Sequence, residues 1–170
     1  VAVDSSRTVY VSDSENDRIQ RFAPDGTFLS AYGSYGSGPS QFSYPLGLAL
    51  GPGGKLYVAD YMNHRIQRLN TYGAFLGPLG TQGSGDGQFV CPQGVATDDA
   101  GNLYVADTGN HRIQKFSPDG VFLAKWDGEG SEDGRFSAIV GVAVDASGNV
   151  YTADRGNNSV KKFTSSGQFV

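Results

Sequence analysis

Short apolar runs alternate with glycine-bearing turns along the whole chain, and no stretch places apolar residues at the roughly 3.6-residue spacing of an amphipathic helix. Residues 94–137 show the pattern clearly. Gly94-Val95-Ala96-Thr97 reads as a short strand and Asp98-Asp99-Ala100-Gly101 as a turn whose glycine supplies a positive φ. Leu103-Tyr104-Val105-Ala106 is apolar throughout, as expected of a strand covered on both faces. Asp107-Thr108-Gly109-Asn110 is a second turn, Arg112–Phe116 a more polar third strand, Ser117-Pro118-Asp119-Gly120 a type I-like turn, and Phe122–Trp126 a fourth strand. A long glycine-rich loop, 127–137, follows. The pattern predicts four antiparallel strands joined up and down.

That unit recurs. Tyr10-Val11-Ser12-Asp13 returns as Tyr57-Val58-Ala59-Asp60, Tyr104-Val105-Ala106-Asp107 and Tyr151-Thr152-Ala153-Asp154, each step being 47 residues. Turn glycines Gly26, Gly73, Gly120 and Gly167 keep the same register, each followed two residues on by Phe28, Phe75, Phe122 or Phe169. A period of about 40–50 residues holding four strands predicts an all-β fold, a β-propeller of four-stranded antiparallel blades. A β-solenoid usually has shorter repeats. The rise in polarity from the second strand to the third fits an interior-to-rim gradient, with the first strand at the central channel. The whole chain is expected to form one domain or segment, with blades at about 1–32, 47–79, 94–126 and 141–170 joined by glycine-rich linkers.

Composition narrows the function classes. In 170 residues there are 25 Gly, 9 Tyr and 10 Phe but one Met, one Trp and one Cys; this favours tight turns with aromatic packing over disorder, and leaves no internal disulfide. Net charge is -4 with no basic run, which opposes nucleic-acid binding by phosphate neutralisation. No apolar stretch approaches the roughly 18 residues that span a bilayer. Few lysines, abundant Gly, Ser and Tyr, and the sequon Asn157-Asn158-Ser159 lean toward an extracellular setting.

The string Gly-x-Leu-Tyr-Val-Ala-Asp-x-x-Asn-His-Arg-Ile-Gln-Lys-Phe at Gly101–Phe116 resembles the NHL repeat, as does the linker Gly80–Gly83–Gly87–Phe89–Pro92. The resemblance covers essentially the whole chain and implies a propeller; family members usually have six blades. In the third linker Asp127 stands for the first glycine and Ile139 for the proline of Pro45 and Pro92, while Arg7 replaces the turn glycine of Gly54, Gly101 and Gly148. Val1–Val3 aligns with Leu48–Leu50 and Phe169-Val170 with Phe122-Leu123, so the sequence opens in a first strand and stops inside a fourth. A segment of a longer ring, or an arc completed by another chain, is expected in preference to a small four-bladed ring. Either would leave an apolar face at each end.

Candidate chemistry is thin. The column Asp13, Asp60, Asp107, Asp154 could in principle gather a cation, but aspartate at a strand end also accepts turn N–H groups and can pair with Arg18, Arg65 or Arg112. His64 and His111 share a column with Asp17 and Asn158; the resemblance implies zinc in some lyases of this type, yet two histidines do not complete such a site. Cys91 aligns with Tyr44 and Ala138 and has no neighbouring base in sequence. No nucleophile elbow or phosphate loop occurs, and no cofactor is implied. Because the linkers differ most between periods, the candidate protein-binding residues are Tyr32, Tyr35, Tyr44, Asp86, Trp126, Glu129, Glu132 and Asp133. The expected function is a non-catalytic interaction or scaffolding module whose partner is another protein or further blades. A fragment of a propeller lyase or lactonase, and an RNA-binding NHL domain, are the alternatives.

Overall fold

The computed structural model describes residues 1–127 and 134–170. Blade 1 comprises β1 (Ala2–Val3), β2 (Val9–Asp13), β3 (Arg18–Phe22) and β4 (Phe28–Tyr32). Blade 2 comprises β5 (Pro45–Gly51), β6 (Lys55–Asp60), β7 (Arg65–Asn70) and β8 (Phe75–Leu79). Within the next linker, β9 (Thr81–Gln82) and β10 (Gln88–Phe89) form a small parallel pair. Blade 3 comprises β11 (Pro92–Thr97), β12 (Leu103–Asp107), β13 (Arg112–Phe116) and β14 (Phe122–Asp127). Blade 4 comprises β15 (Ile139–Val144), β16 (Val150–Asp154) and β17 (Ser159–Phe163), with a single antiparallel bridge from Phe163 to Phe169 where a fourth strand would lie. Each blade sheet is antiparallel with its strands in chain order, and the only helical elements among the described residues are single 3-10 turns.

The blades stack in succession. β5 packs on β11 and β11 on β15, and β1 and β2 pack on β5. No packing of that extent joins β15 back to β1 among the described residues. Alternation along the second strand explains the stacking. Tyr57, Ala59 and Ile66 face forward, onto Val95, Leu103, Val105 and Phe116 of blade 3. Tyr104, Ala106, Ile113 and Trp126 of blade 3 likewise meet Ile139, Val150 and Phe163 of blade 4. The linker threads a phenylalanine into every such interface: Phe42, Phe89 and Phe136 have no exposed surface.

The end blades lack one neighbour, and the same residue types show it. Ile19, Ile66 and Ile113 are fully buried, whereas their counterpart Val160 is 74% exposed. On the opposite side Val9 and Val11 are half-buried, while Leu56, Val58, Leu103 and Val105 are sealed.

Close to the axis the innermost strands approach so tightly that only glycine fits. A Cβ on Gly47 would strike the carbonyl oxygen of Gln93, and one on Gly94 would lie 2.8 Å from the Cα of Gly141. The equivalent Gly141, on the terminal blade, would meet only the Ala153 methyl at 3.5 Å. Gly94→Ala is therefore expected to lower unfolding stability by about 1–3 kcal/mol, and Gly141→Ala by less than about 1 kcal/mol, measured by chemical denaturation. Equal losses would contradict the one-sided stacking of blade 4.

Candidate functional site

Each second strand ends in an aspartate, followed by one 3-10 turn and a residue in the left-handed region: Asp17, His64, His111 or Asn158, all near φ +50. Asp, Asn and His tolerate this conformation better than most non-glycine residues, which accounts for the histidine column as a backbone choice. The aspartate then organises a clamp. Asp107 accepts from Arg112 Nε at 2.7 Å, from Gln114 at 3.0 Å and from Asn110 at 2.9 Å. So oriented, Arg112 donates to the carbonyls of Ser84, Gly85 and Gln88 in the incoming linker, each at 2.8 Å. Gln114 donates to Gln88 and accepts from the Gly87 amide, while Asn110 reaches the Gly83 carbonyl. Blade 2 repeats the arrangement: Arg65 holds Ser37, Gly38 and Gln41, Asn63 holds Gly36, and Gln67 holds Gln41. In blade 4, Ser159 and Lys161 replace Arg and Gln; Lys161 bonds the Arg135 carbonyl and pairs with Asp154 at 3.6 Å. The aspartate column is thus structural.

The linkers and 3-10 turns share one face of the blades, because every linker enters where strands such as β5 and β11 begin, opposite Asp60 and Asp107. On this face unlike side chains meet. Tyr44 and Tyr61 lie with ring centroids 6.3 Å apart. His64 Nδ1 accepts the Cys91 amide at 3.0 Å and sits 3.7 Å from Cys91 Sγ. Burial raises the Tyr61 phenol above its ordinary value; the Cys91 thiol and Tyr44 add to this, and the charge of Arg155 from blade 4 offsets part of it. The amide already occupies the His64 Nδ1 lone pair, so in this geometry His64 does not serve as a base for the thiol.

The sequence candidates separate. Tyr35 is 76% exposed and Tyr44 40% exposed, both on the linker face. Asp86 pairs with Lys125 at 3.0 Å in a solvent-accessible bridge. Tyr32 is packed against Gly73, and Trp126 is buried edge-on to Tyr104 at 6.1 Å with Gly167 over its ring. These two side chains lie in the packing between blades. Glu129, Glu132 and Asp133 lie outside the described residues. The sequon asparagine, Asn157, donates to Asp154 at 2.7 Å as part of its turn. No group of three His, Cys, Asp or Glu side chains among the described residues is placed to hold a metal ion. Tyr61 and Arg155 escaped sequence reasoning, although their column, Ser14, Tyr61, Thr108 and Arg155, carries a different residue in every blade.

A radial stack of antiparallel blades with this Asp–Asn–Arg–Gln clamp defines a β-propeller of repeated type. The family model of the NHL repeat matches residues 1–22, 42–69, 89–116 and 136–163, together more than half of the chain, and the chain belongs to that family. No curated protein matches. Among solved structures, virginiamycin B lyase from Staphylococcus aureus aligns with 99% of this chain and 52% of its own at TM-score 0.72 and 17% identity. A gluconolactonase from Xanthomonas campestris aligns with 99% of this chain and 59% of its own at TM-score 0.72 and 20% identity. The Kuenenia stuttgartiensis hydrazine synthase aligns with 99% of this chain and 46% of its own at TM-score 0.75 and 15% identity. The chain thus spans about half the length of these structures, and at such identities the likeness is one of fold.

Two predictions follow from the clamp. Arg112 and Asp107 are almost wholly enclosed, so Arg112→Ala strands a buried carboxylate and is expected to cost about 3–5 kcal/mol, whereas the exposed counterpart Arg18→Ala costs below about 1 kcal/mol in the same denaturation assay. Burial pushes the Asp154 carboxyl up, but N–H bonds from Ala138, Ser137 and Asn157 outweigh it and hold it below the ordinary carboxylate range. A depressed native pKa stabilises the fold above the unfolded value of about 3.9, and that contribution is lost as pH falls through the depressed value. Stability is therefore expected to drop on acidification, and Asp154→Asn to flatten the slope below about pH 4. An unchanged slope would show that Asp154 carries none of it.

Proposed function

We propose that this chain is a non-catalytic protein-interaction module that presents its linker face to another protein. The observation that carries this reading is the placement of Tyr35, Tyr44, Tyr61 and Arg155, none of them matched in every blade, on the face where the repeats differ. Met62, 54% exposed, lies in the same 3-10 turn as Tyr61. Tyrosine, methionine and arginine are enriched at protein interfaces, since they supply contact area with few charges to desolvate. The repeated polar groups, by contrast, are committed to holding linkers. Catalysis like that of the lyase or gluconolactonase finds support only in shared fold, and the -4 charge opposes an RNA surface.

Photo-crosslinking amino acids placed at Tyr35 and Met62, with Tyr72 in the β7–β8 turn as the control on the opposite face, test the reading. The expected result is a discrete protein adduct from the first two positions alone. Tyr44→Ser with Tyr61→Ser should then weaken the recovered partner at least about tenfold, the effect of losing one hot spot. Adducts formed equally from both faces, or none at all, would overturn it.

A further inference from the structure

Where one blade meets the next, the left-handed residue of the first faces the linker end that begins the second, and the pair adopts two arrangements. In the first arrangement the left-handed residue accepts the linker-end amide. Asp17 accepts from Tyr44 at 2.7 Å, and His64 Nδ1 accepts from Cys91 at 3.0 Å. Tyr44 and Cys91 are then left-handed themselves, at φ +57 and +50. The second arrangement lies between blades 3 and 4. There His111 Nδ1 meets the carbonyl oxygen of Ser137. The Ala138 amide goes instead to Asp154 at 2.9 Å, and Asp154 also accepts from Ser137 at 3.1 Å. Ala138 is not left-handed. The accepted amide and the left-handed linker end thus occur together and are absent together. That conformation is unfavourable for a residue with a Cβ and persists where a neighbour holds it.

The two histidines place opposite demands on the same ring atom. His111 Nδ1 faces a carbonyl, so it carries a proton there, and imidazolium keeps that bond. His64 Nδ1 faces an N–H, so it must offer a lone pair, which imidazolium lacks. Around the His64 ring stand the Cys91 thiol, 3.7 Å from Nδ1, the Tyr61 phenol on which that thiol bears, and beyond it Tyr44 and the Arg155 guanidinium. Asp60 and Asp107 flank the turn and the linker end, each paired with its arginine. Carboxylic acids ordinarily titrate below about pH 5, and thiols, phenols and guanidinium above about pH 8. Imidazole is the group in this set whose charge ordinarily changes between the two.

We propose that protonation of His64 switches the linker end at Cys91 from the first arrangement to the second. The junction between blades 3 and 4 supplies the geometry of the switched state. His64, protonated at Nδ1 by solvent, turns that N–H to the carbonyl of Val90, the counterpart of Ser137. The Cys91 amide turns to the carboxylate of Asp107, the counterpart of Asp154. Both acceptors are already in place. Asp107 Oδ1 accepts the Val90 amide at 2.8 Å, as Asp154 accepts that of Ser137. The Val90 carbonyl takes the Gly109 amide at 2.9 Å and keeps a second lone pair for His64. Neither state therefore strands the Cys91 donor, and the chain exchanges only a proton with solvent. Because the Cys91 thiol bears on Tyr61, which lies beside Tyr44, the switch alters the linker face itself. It goes beyond the interaction-module reading and does not need that reading to hold.

The test is heteronuclear NMR on the full 170-residue chain, titrated from about pH 7.5 to about pH 5.5. As the His64 ring takes up its proton, the backbone carbon shifts of Cys91 are expected to lose their left-handed signature, while those of Ala138 stay unmoved. His64→Asp copies Asp17 and should keep Cys91 left-handed across the range. His64→Asn copies Asn158, should do the same, and serves where the added charge disturbs the fold. His111→Asn should leave the Cys91 transition in place. Cys91 shifts that stay constant while His64 titrates would overturn the proposal. So would a His64 ring that stays neutral down to about pH 5.5, or a Cys91 transition that survives in His64→Asn. None of these readouts involves a partner, so the crosslinking outcome at Tyr35 and Met62 stands or falls separately.

Discussion

A linker that crosses from the rim of one blade to the axis of the next brings its backbone carbonyls to the part-buried edge of the interface between blades. The deeper such a carbonyl lies, the more it costs unpaired, up to about 1–3 kcal/mol. The chain meets this constraint with one device. Asp60 and Asp107 fix the guanidinium of Arg65 and Arg112, and each guanidinium satisfies three linker carbonyls. With the linker pinned, Phe42 and Phe89 are delivered between sheets that could not otherwise cover their apolar faces. A buried charge pair is costly to desolvate by itself; here it is kept because it organises the neutral groups around it.

The same sequence motif carries different weight according to its place in the stack. Arg112 lies between two blades and Arg18 at an end, so one is enclosed and the other open to screening water. In a quasi-one-dimensional stack stability divides into blade terms and interface terms, and the interface term dominates where each blade is a thin sheet with two oily sides. Val160 and Val9 mark where such terms are missing. Within residues 1–170 the apolar positions of the two outer blades are accordingly less covered than those of the inner pair.

Much of the fold was legible because its determinants lie within one period. The continuous apolar run Leu103–Ala106, the turn glycines and the constant spacing of Tyr10, Tyr57, Tyr104 and Tyr151 gave strands, turns and blades directly. Contacts between periods were not legible in this way. Arg65 meets Gln41 across 24 residues and Asn110 meets Gly83 across 27, and no local pattern encodes such pairings. For the same reason the sequence, which offers Trp126 as a candidate protein-binding residue at the end of a fourth strand, does not show that Gly167 of the next blade lies over its ring. The histidine column looked chemical because histidine usually is; its φ near +50 shows a turn requirement that sequence does not display.

Repetition itself separates architecture from function. A residue present in every blade answers a need that every blade has, and the Asp, Asn, Arg and Gln columns are spent on linker capture. What remains is the column Ser14, Tyr61, Thr108, Arg155, together with Tyr44, Cys91 and Ala138 at the linker ends. Ser14 and Thr108 use their hydroxyls on the carbonyls of Pro45 and Ile139, still serving the stack. Tyr61 cannot make that small bond in the same way and instead turns its ring toward Tyr44. At Tyr61 the repeated hydroxyl bond gives way to a larger aromatic surface beside Tyr44, on the face that carries the linkers, and this departure from the repeat is what the proposed interaction module rests on.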